Sequence, residues 1–119
     1  MSETAPPPIL TVTEELLGWT LDRTASLPRS QRFTFGQRLD GAMLDVLERC
    51  VIARFATPRR RIAELEALNL DLEKLRVLWR LVQARGWIST QQLLFAARRL
   101  DEIGRMAGGW LKASRRADP

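Results

Sequence analysis

Three observations predict an all-α protein, an antiparallel up-down-up-down four-helix bundle. Apolar residues recur at steps of three and four along most of the 119 residues, the spacing of one face of a helix. Breaks fall around Pro28, Pro58 and Gly86, so the pieces between them are helix-sized and joined by short connections, which makes neighbours antiparallel. No stretch carries a strand pattern. The length suits one domain with one continuous core. A swapped or intertwined oligomer is the alternative way to pack the same helices.

Residues 1–10 contain APPPIL, whose prolines oppose helix, and read as a disordered Pro-rich tail. The bundle is expected over 11–113. Its first helix, about 13–26, has Thr13 as N-cap, Glu14 and Glu15 in the first turn, and Leu16, Leu17, Leu21 and Ala25 at helical spacing up to SLP. The second, about 30–56, places Phe35, Leu39, Ala42, Val46, Cys50 and Ala53 on one face. Met43, Leu47, Val51 and Phe55 widen that face enough to meet two neighbours. Gly36 and Gly41 each cost about 1 kcal/mol in a helix interior, which close approach of another helix would offset.

The third helix, about 58–85, has Thr57 as N-cap and Pro58 at its first position. Its seam is Leu65, Leu68, Leu72, Leu75, Trp79 and Val82, and Gly86 is placed to close it in a left-handed conformation. Asn69 beside the seam either fixes register or faces water. STQQ at 89–92 is a capping box for a fourth helix, about 90–113, with Leu93, Ala96, Leu100, Ile103, Ala107 and Trp110 inward. Residues 114–119 read as a basic C-terminal tail.

Lysine plus arginine number 19 against 14 acidic residues, a net charge of +5 and a pI of about 10.9. That balance favours an acidic partner, nucleic acid or an anionic protein face. The single Cys50, on an apolar stripe, excludes an intrachain disulfide and reads as a buried small hydrophobe in a reducing, cytoplasmic protein. MSETAPPPILTV lacks a basic region followed by an apolar run, and no stretch reaches the roughly 18 apolar residues of a membrane span. The chain has no histidine, which removes His-based zinc sites, Glu-x-x-His di-iron pairs and Ser–His or Cys–His nucleophiles. No glycine-rich phosphate loop is present, and Asp40, Asp45, Glu48, Asp71 and Glu73 read as solvent-facing helix charges. Neither enzymatic activity nor a cofactor or metal is expected.

The arginines are the informative residues. Arg59, Arg60 and Arg61 occupy the first turn of the third helix, where the partial positive charge of the helix start disfavours cations by roughly 0.3–1 kcal/mol each. An up-down-up-down bundle gathers Arg54, Arg59, Arg60, Arg61, Lys112, Arg115 and Arg116 at one end, a candidate phosphate-binding surface. Arg29, Arg32 and Arg38 at the start of the second helix, and Arg98, Arg99 and Arg105 on the fourth, are secondary basic sets. Trp79, Trp87, Trp110, Phe55 and Phe95 lie on or near apolar stripes and read as core or subunit contacts, while Trp19 fits either setting. Binding through these cations would follow the nucleic-acid backbone and weaken with salt.

LPRSQRFTFGQRLDGAMLDVLERCVIARF, LNLDLEKLRVLWRLVQARGWIS and LDEIGRMAGGWLK together resemble a known family over about residues 27–112. The most specific matches are Leu27, Pro28, Ser30, Gln31 and Arg32, then Leu70, Leu75 and Arg76, then Asp101, Glu102, Ile103, Gly104, Gly109 and Trp110. The family is that of the accessory variability determinant of diversity-generating retroelements, with the related proteins encoded in ribosomal RNA intervening sequences. The resemblance implies a basic homopentamer, a ring or barrel of four-helix protomers, that binds nucleic acid and a reverse transcriptase during mutagenic reverse transcription. The alternative is an oligomeric scaffold of the intervening-sequence type that binds only protein. The chain departs from the family in having arginine where lysine is common, with only Lys74 and Lys112.

Overall fold

The computed structural model describes residues 8–119; of the tail expected at 1–10, positions 1–7 lie outside them and 8–10 are helical. Four helices account for most of the chain, α1 (Pro8–Ala25), α2 (Gln37–Phe55), α3 (Pro58–Ala84) and α4 (Thr90–Ala117), and no strand occurs among the described residues. Each helix packs on the next, and α4 closes back on α1, as in a four-helix bundle.

α1 begins earlier than the proline run predicts. The chain is already helical at Pro8, the first described residue. Ile9, Leu10 and Val12, immediately after it, are buried. Thr13 is therefore not a cap. It is fully buried on a stripe continued by Leu16, Thr20 and Thr24, whereas Leu21 and Ala25 turn outward. Threonine methyl groups thus do part of the work expected of leucine and alanine. Trp19, the ambivalent aromatic, packs between Trp79 and Phe95, with ring centroids 5.2 and 5.0 Å away.

The second helix is not continuous from residue 30. A 3-10 turn over Arg29–Gln31 and a π-type turn over Arg32–Gly36 precede α2. Leu27, buried in the core, anchors the segment at its start. Gly36 is buried, with Leu27 and Gln31 beside it, but a Cβ there would make only ordinary contacts at 3.7–3.9 Å, and a Cβ at Gly41 would meet nothing within 4 Å. Neither glycine is explained by a closely approaching helix. Leu39, Met43, Val46, Cys50 and Ala53 form the buried face of α2. Along the second stripe burial fades, from Met43 at 0 % exposed to Val51 at 44 % and Phe55 at 78 %.

α3 and α4 follow the sequence closely. Leu65, Leu68, Leu72, Leu75, Trp79 and Val82 are all buried, Thr57 caps the N–H of Arg60, and Gly86 adopts φ 77°. Ser89 and Gln92 form the reciprocal capping box. α4 runs through Ala117 rather than ending near 113. Ser114 is buried with its hydroxyl on the Trp110 carbonyl, and Arg115 and Arg116 sit in the last turn, where the helix field favours cations. Only residues beyond Ala117 remain of the expected basic tail.

Candidate nucleic-acid interface

α2 ends and α3 begins at the end of the bundle where α4 finishes, so the predicted cations share one region. They do not share one role. Arg61 reaches backward, its Nε donating to the Ala53 carbonyl at 2.7 Å and a terminal nitrogen to the Ala56 carbonyl at 2.9 Å. These carbonyls lie at the end of α2, where helical partners run out and the field is negative. Arg61 also lies over the Trp110 ring at 5.6 Å, which ties α2, α3 and α4 together. A cation that looks misplaced at the start of one helix is well placed at the end of the preceding one.

Arg60 pairs with Glu64 one turn on, at 3.1 Å, and Arg115 pairs with Glu66 across the α3/α4 interface at 3.0 Å. Arg54 lies over the Phe55 ring at 5.2 Å. Of the seven residues of the predicted end cluster, only Arg59, Lys112 and Arg116 are exposed with no ion pair or hydrogen bond from the side chain to another described residue.

The secondary sets divide in the same way. Arg99 is held by Glu15 and Glu102, at 3.1 and 3.0 Å, and Arg32 donates to the Leu27 carbonyl. Arg29, Arg38, Arg98 and Arg105 project into solvent.

Sorting the cations by partnership reveals a surface that the end cluster conceals. Arg98, Arg105, Lys112 and Arg116 follow one another along the outer face of α4 at intervals of seven, seven and four residues. With 3.6 residues per turn, they fall near one line about 27 Å long. The carboxylates beside that line are engaged elsewhere, Asp101 by Arg76 at 3.2 Å and Glu102 by Arg99. Gly108 and Gly109 interrupt the side chains in the middle, and a Cβ at either would meet nothing within 4 Å. Gly104 instead faces inward, its would-be Cβ 3.3 Å from the Arg76 guanidinium and 3.7 Å from Leu72. The expected end cluster and the secondary set on the fourth helix divide this row between them; the sevenfold spacing of Arg98, Arg105 and Lys112 is the signal that joins it.

A polar recess of about 440 Å³, lined by Asn69, Arg76, Asp101, Gly104 and Arg105, opens beside the row. On the opposite side of α3, a groove of about 580 Å³ against α2 has Gly41, Ala42, Leu70, Val77 and Leu78 along it and Arg38 and Lys74 at its edge.

Two carboxylates depart from the solvent-facing role expected of them. Asp71 is buried between α2 and α3 and accepts from Arg49 Nε at 2.7 Å, while Arg49 also reaches Glu64 at 3.3 Å. The hydrogen bond to Asp71, opposed in part by burial, raises the Arg49 pKa above its ordinary value. Asp40 is half-buried and accepts from the Thr24 hydroxyl at 2.8 Å. Cys50 is buried as expected, and burial pushes its thiol up to about 11, an effect that the Thr13 hydroxyl partly offsets.

No helix among the described residues is long and apolar enough to cross a membrane. No curated protein and no solved structure matches the chain. A model of the bAvd-like family, consistent with the accessory variability determinant resemblance, matches residues 9–114. With that match spanning nearly the whole bundle, the chain belongs to the bAvd-like family.

Proposed function

We propose that this protein is a non-catalytic accessory factor of a diversity-generating retroelement, a cytoplasmic homo-oligomer, pentameric as the family resemblance implies. In this reading it holds nucleic acid by its backbone along the outer face of α4 and associates with the reverse transcriptase during mutagenic copying. Family membership supports the accessory role. The observation that carries nucleic-acid binding is the row Arg98, Arg105, Lys112 and Arg116, whose charges no described carboxylate neutralises. Cations without intramolecular partners can displace condensed counterions from phosphates. Arg59 adds a further free charge at the same end as Arg116. The absence of histidine supports the non-catalytic part.

The test is fluorescence anisotropy with a labelled RNA–DNA hybrid across a salt series. Replacing the four row residues with alanine should weaken binding and flatten the dependence of log affinity on log salt by roughly 0.9 for each phosphate no longer neutralised. An unchanged slope would remove the row from the interface. No binding at low salt by the unaltered protein would favour a scaffold of the intervening-sequence type that recognises only protein. Association with the reverse transcriptase is read separately, by co-purification.

A further inference from the structure

Phe33 is 77 % exposed, beside an aromatic that is not. Phe35, two residues on, packs edge-on against Trp87 at 5.5 Å, so the π-type turn over Arg32–Gly36 sends one ring into the bundle and the other into water. The turn is held in place. Leu27 is buried beneath it, the Thr34 hydroxyl donates to the Gln31 carbonyl at 3.3 Å, and Arg32 Nε donates to the Leu27 carbonyl at 3.3 Å. A ring projecting from a braced turn gives up little freedom on meeting a ligand.

The chain on either side of that ring is cationic. In LPRSQRFTFGQRL, from Leu27 to Leu39, the only charged residues are Arg29, Arg32 and Arg38, with no carboxylate among them. Arg29 lies four residues before Phe33 and Arg38 five after it, each about one turn away along a path that includes a widened turn. Both are exposed, and neither side chain makes a hydrogen bond or ion pair with a described residue.

We propose that Phe33 is a stacking platform for an unpaired base, with Arg29 and Arg38 taking the phosphates on either side, so that this turn is a single-strand site distinct from the α4 row. The inference rests on the nucleic-acid reading above and deepens it. Every base presents a π-face, but a paired base in a duplex has that face covered, so an exposed aromatic among cations selects single strands without selecting sequence. The α4 row offers charge without an aromatic in line with it and serves either form.

The experiment compares a labelled oligothymidylate with a blunt duplex of the same length, using the full-length protein. Phe33→Ala should reduce affinity for oligothymidylate roughly 5- to 150-fold, the range for one stacked base, and leave duplex affinity unchanged. Phe33→Trp should keep single-strand affinity, and its added fluorescence over the wild type should be quenched by oligothymidylate. Arg29→Ala with Arg38→Ala should flatten the salt dependence for oligothymidylate alone. Equal reductions on both probes, or none, would overturn the assignment while leaving the α4 row standing. A change in oligomer mass on Phe33→Ala would assign the ring to a subunit interface instead. Binding of neither probe by the wild type would overturn this site and the nucleic-acid reading together.

Discussion

Arg49 Nε stands 2.7 Å from Asp71 Oδ2, and the two partners are unequally buried, with 32 % of the Arg49 side chain exposed against 6 % for Asp71. Removing the exposed partner should therefore cost more. Arg49→Ala leaves a buried carboxylate whose remaining cation is Lys74 Nζ at 3.9 Å, and should destabilise by about 2–4 kcal/mol. Asp71→Asn leaves Arg49 to Glu64 and water, and should cost about 1–2 kcal/mol. Urea denaturation measures both; equal costs would contradict the asymmetry.

Arg61 and Arg59 are near neighbours with opposite consequences. Arg61→Ala deletes two hydrogen bonds to the end of α2 and should lower stability by about 1–3 kcal/mol, with Arg61→Lys recovering little because it lacks the planar fork. Arg59→Ala removes a cation from a helix start, so it should raise the thermal midpoint slightly while reducing the salt slope of nucleic-acid binding. A destabilised Arg59→Ala beside an unaffected Arg61→Ala would reverse the assignment.

Gly109 sits in an α4 interior where a Cβ meets nothing within 4 Å. Gly109→Ala should stabilise the chain by about 1 kcal/mol through helix propensity alone. Gly104→Ala should gain less, since its Cβ lies 3.3 Å from the Arg76 guanidinium, which must shift. Urea midpoints rank the two; a destabilised Gly109→Ala would mean that this face is covered in the assembled protein.

Burial raises the Cys50 thiol from 9.0 to about 11. Below pH 9 the thiol is neutral in both folded and unfolded chains, and its contribution to stability is fully present. As pH rises from 9 towards 11 the unfolded chain releases this proton and the folded chain keeps it, so stability falls, by at most about 1.4 kcal/mol per pH unit. Cys50→Ala should fall less in stability across that window than the wild type. Parallel slopes would show that the thiol is not linked to folding there.

The fold is legible in the sequence because its signals are local and repeated. The α3 seam from Leu65 to Val82, the Thr57 and Ser89 caps and Gly86 each depend on spacing or on one backbone conformation, and the structure has them where the sequence places them. The first part of α1 is harder to read, because prolines oppose helix and the run that ends at Pro8 hides the buried face begun by Ile9 and Leu10. The π-type turn is hidden because Phe35 to Ala53 keeps helical spacing across it.

The candidate site is less legible, for a different reason. A list of arginines carries no information on which are already engaged. Arg61 on backbone carbonyls, Arg99 between Glu15 and Glu102, and Arg49 on Asp71 find partners 3 to 84 residues away in the chain. Phe33 lies off the apolar stripe, so periodicity is silent about it; an aromatic off the stripe and between arginines is the clue that the sequence does hold.

The link between α2 and α3 is only Ala56 and Thr57, and Arg61 fastens across it. Closing so short a connection costs little chain entropy, so this hairpin is the natural place for folding to begin. α1 joins through an irregular segment and packs mainly on α2 and α4, so it is expected to dock last and open first. In native-state hydrogen exchange the amides of α1 should open at lower free energy than those of the α2–α3 hairpin. A protein assembled in that order can loosen its first helix while the α4 surface stays intact.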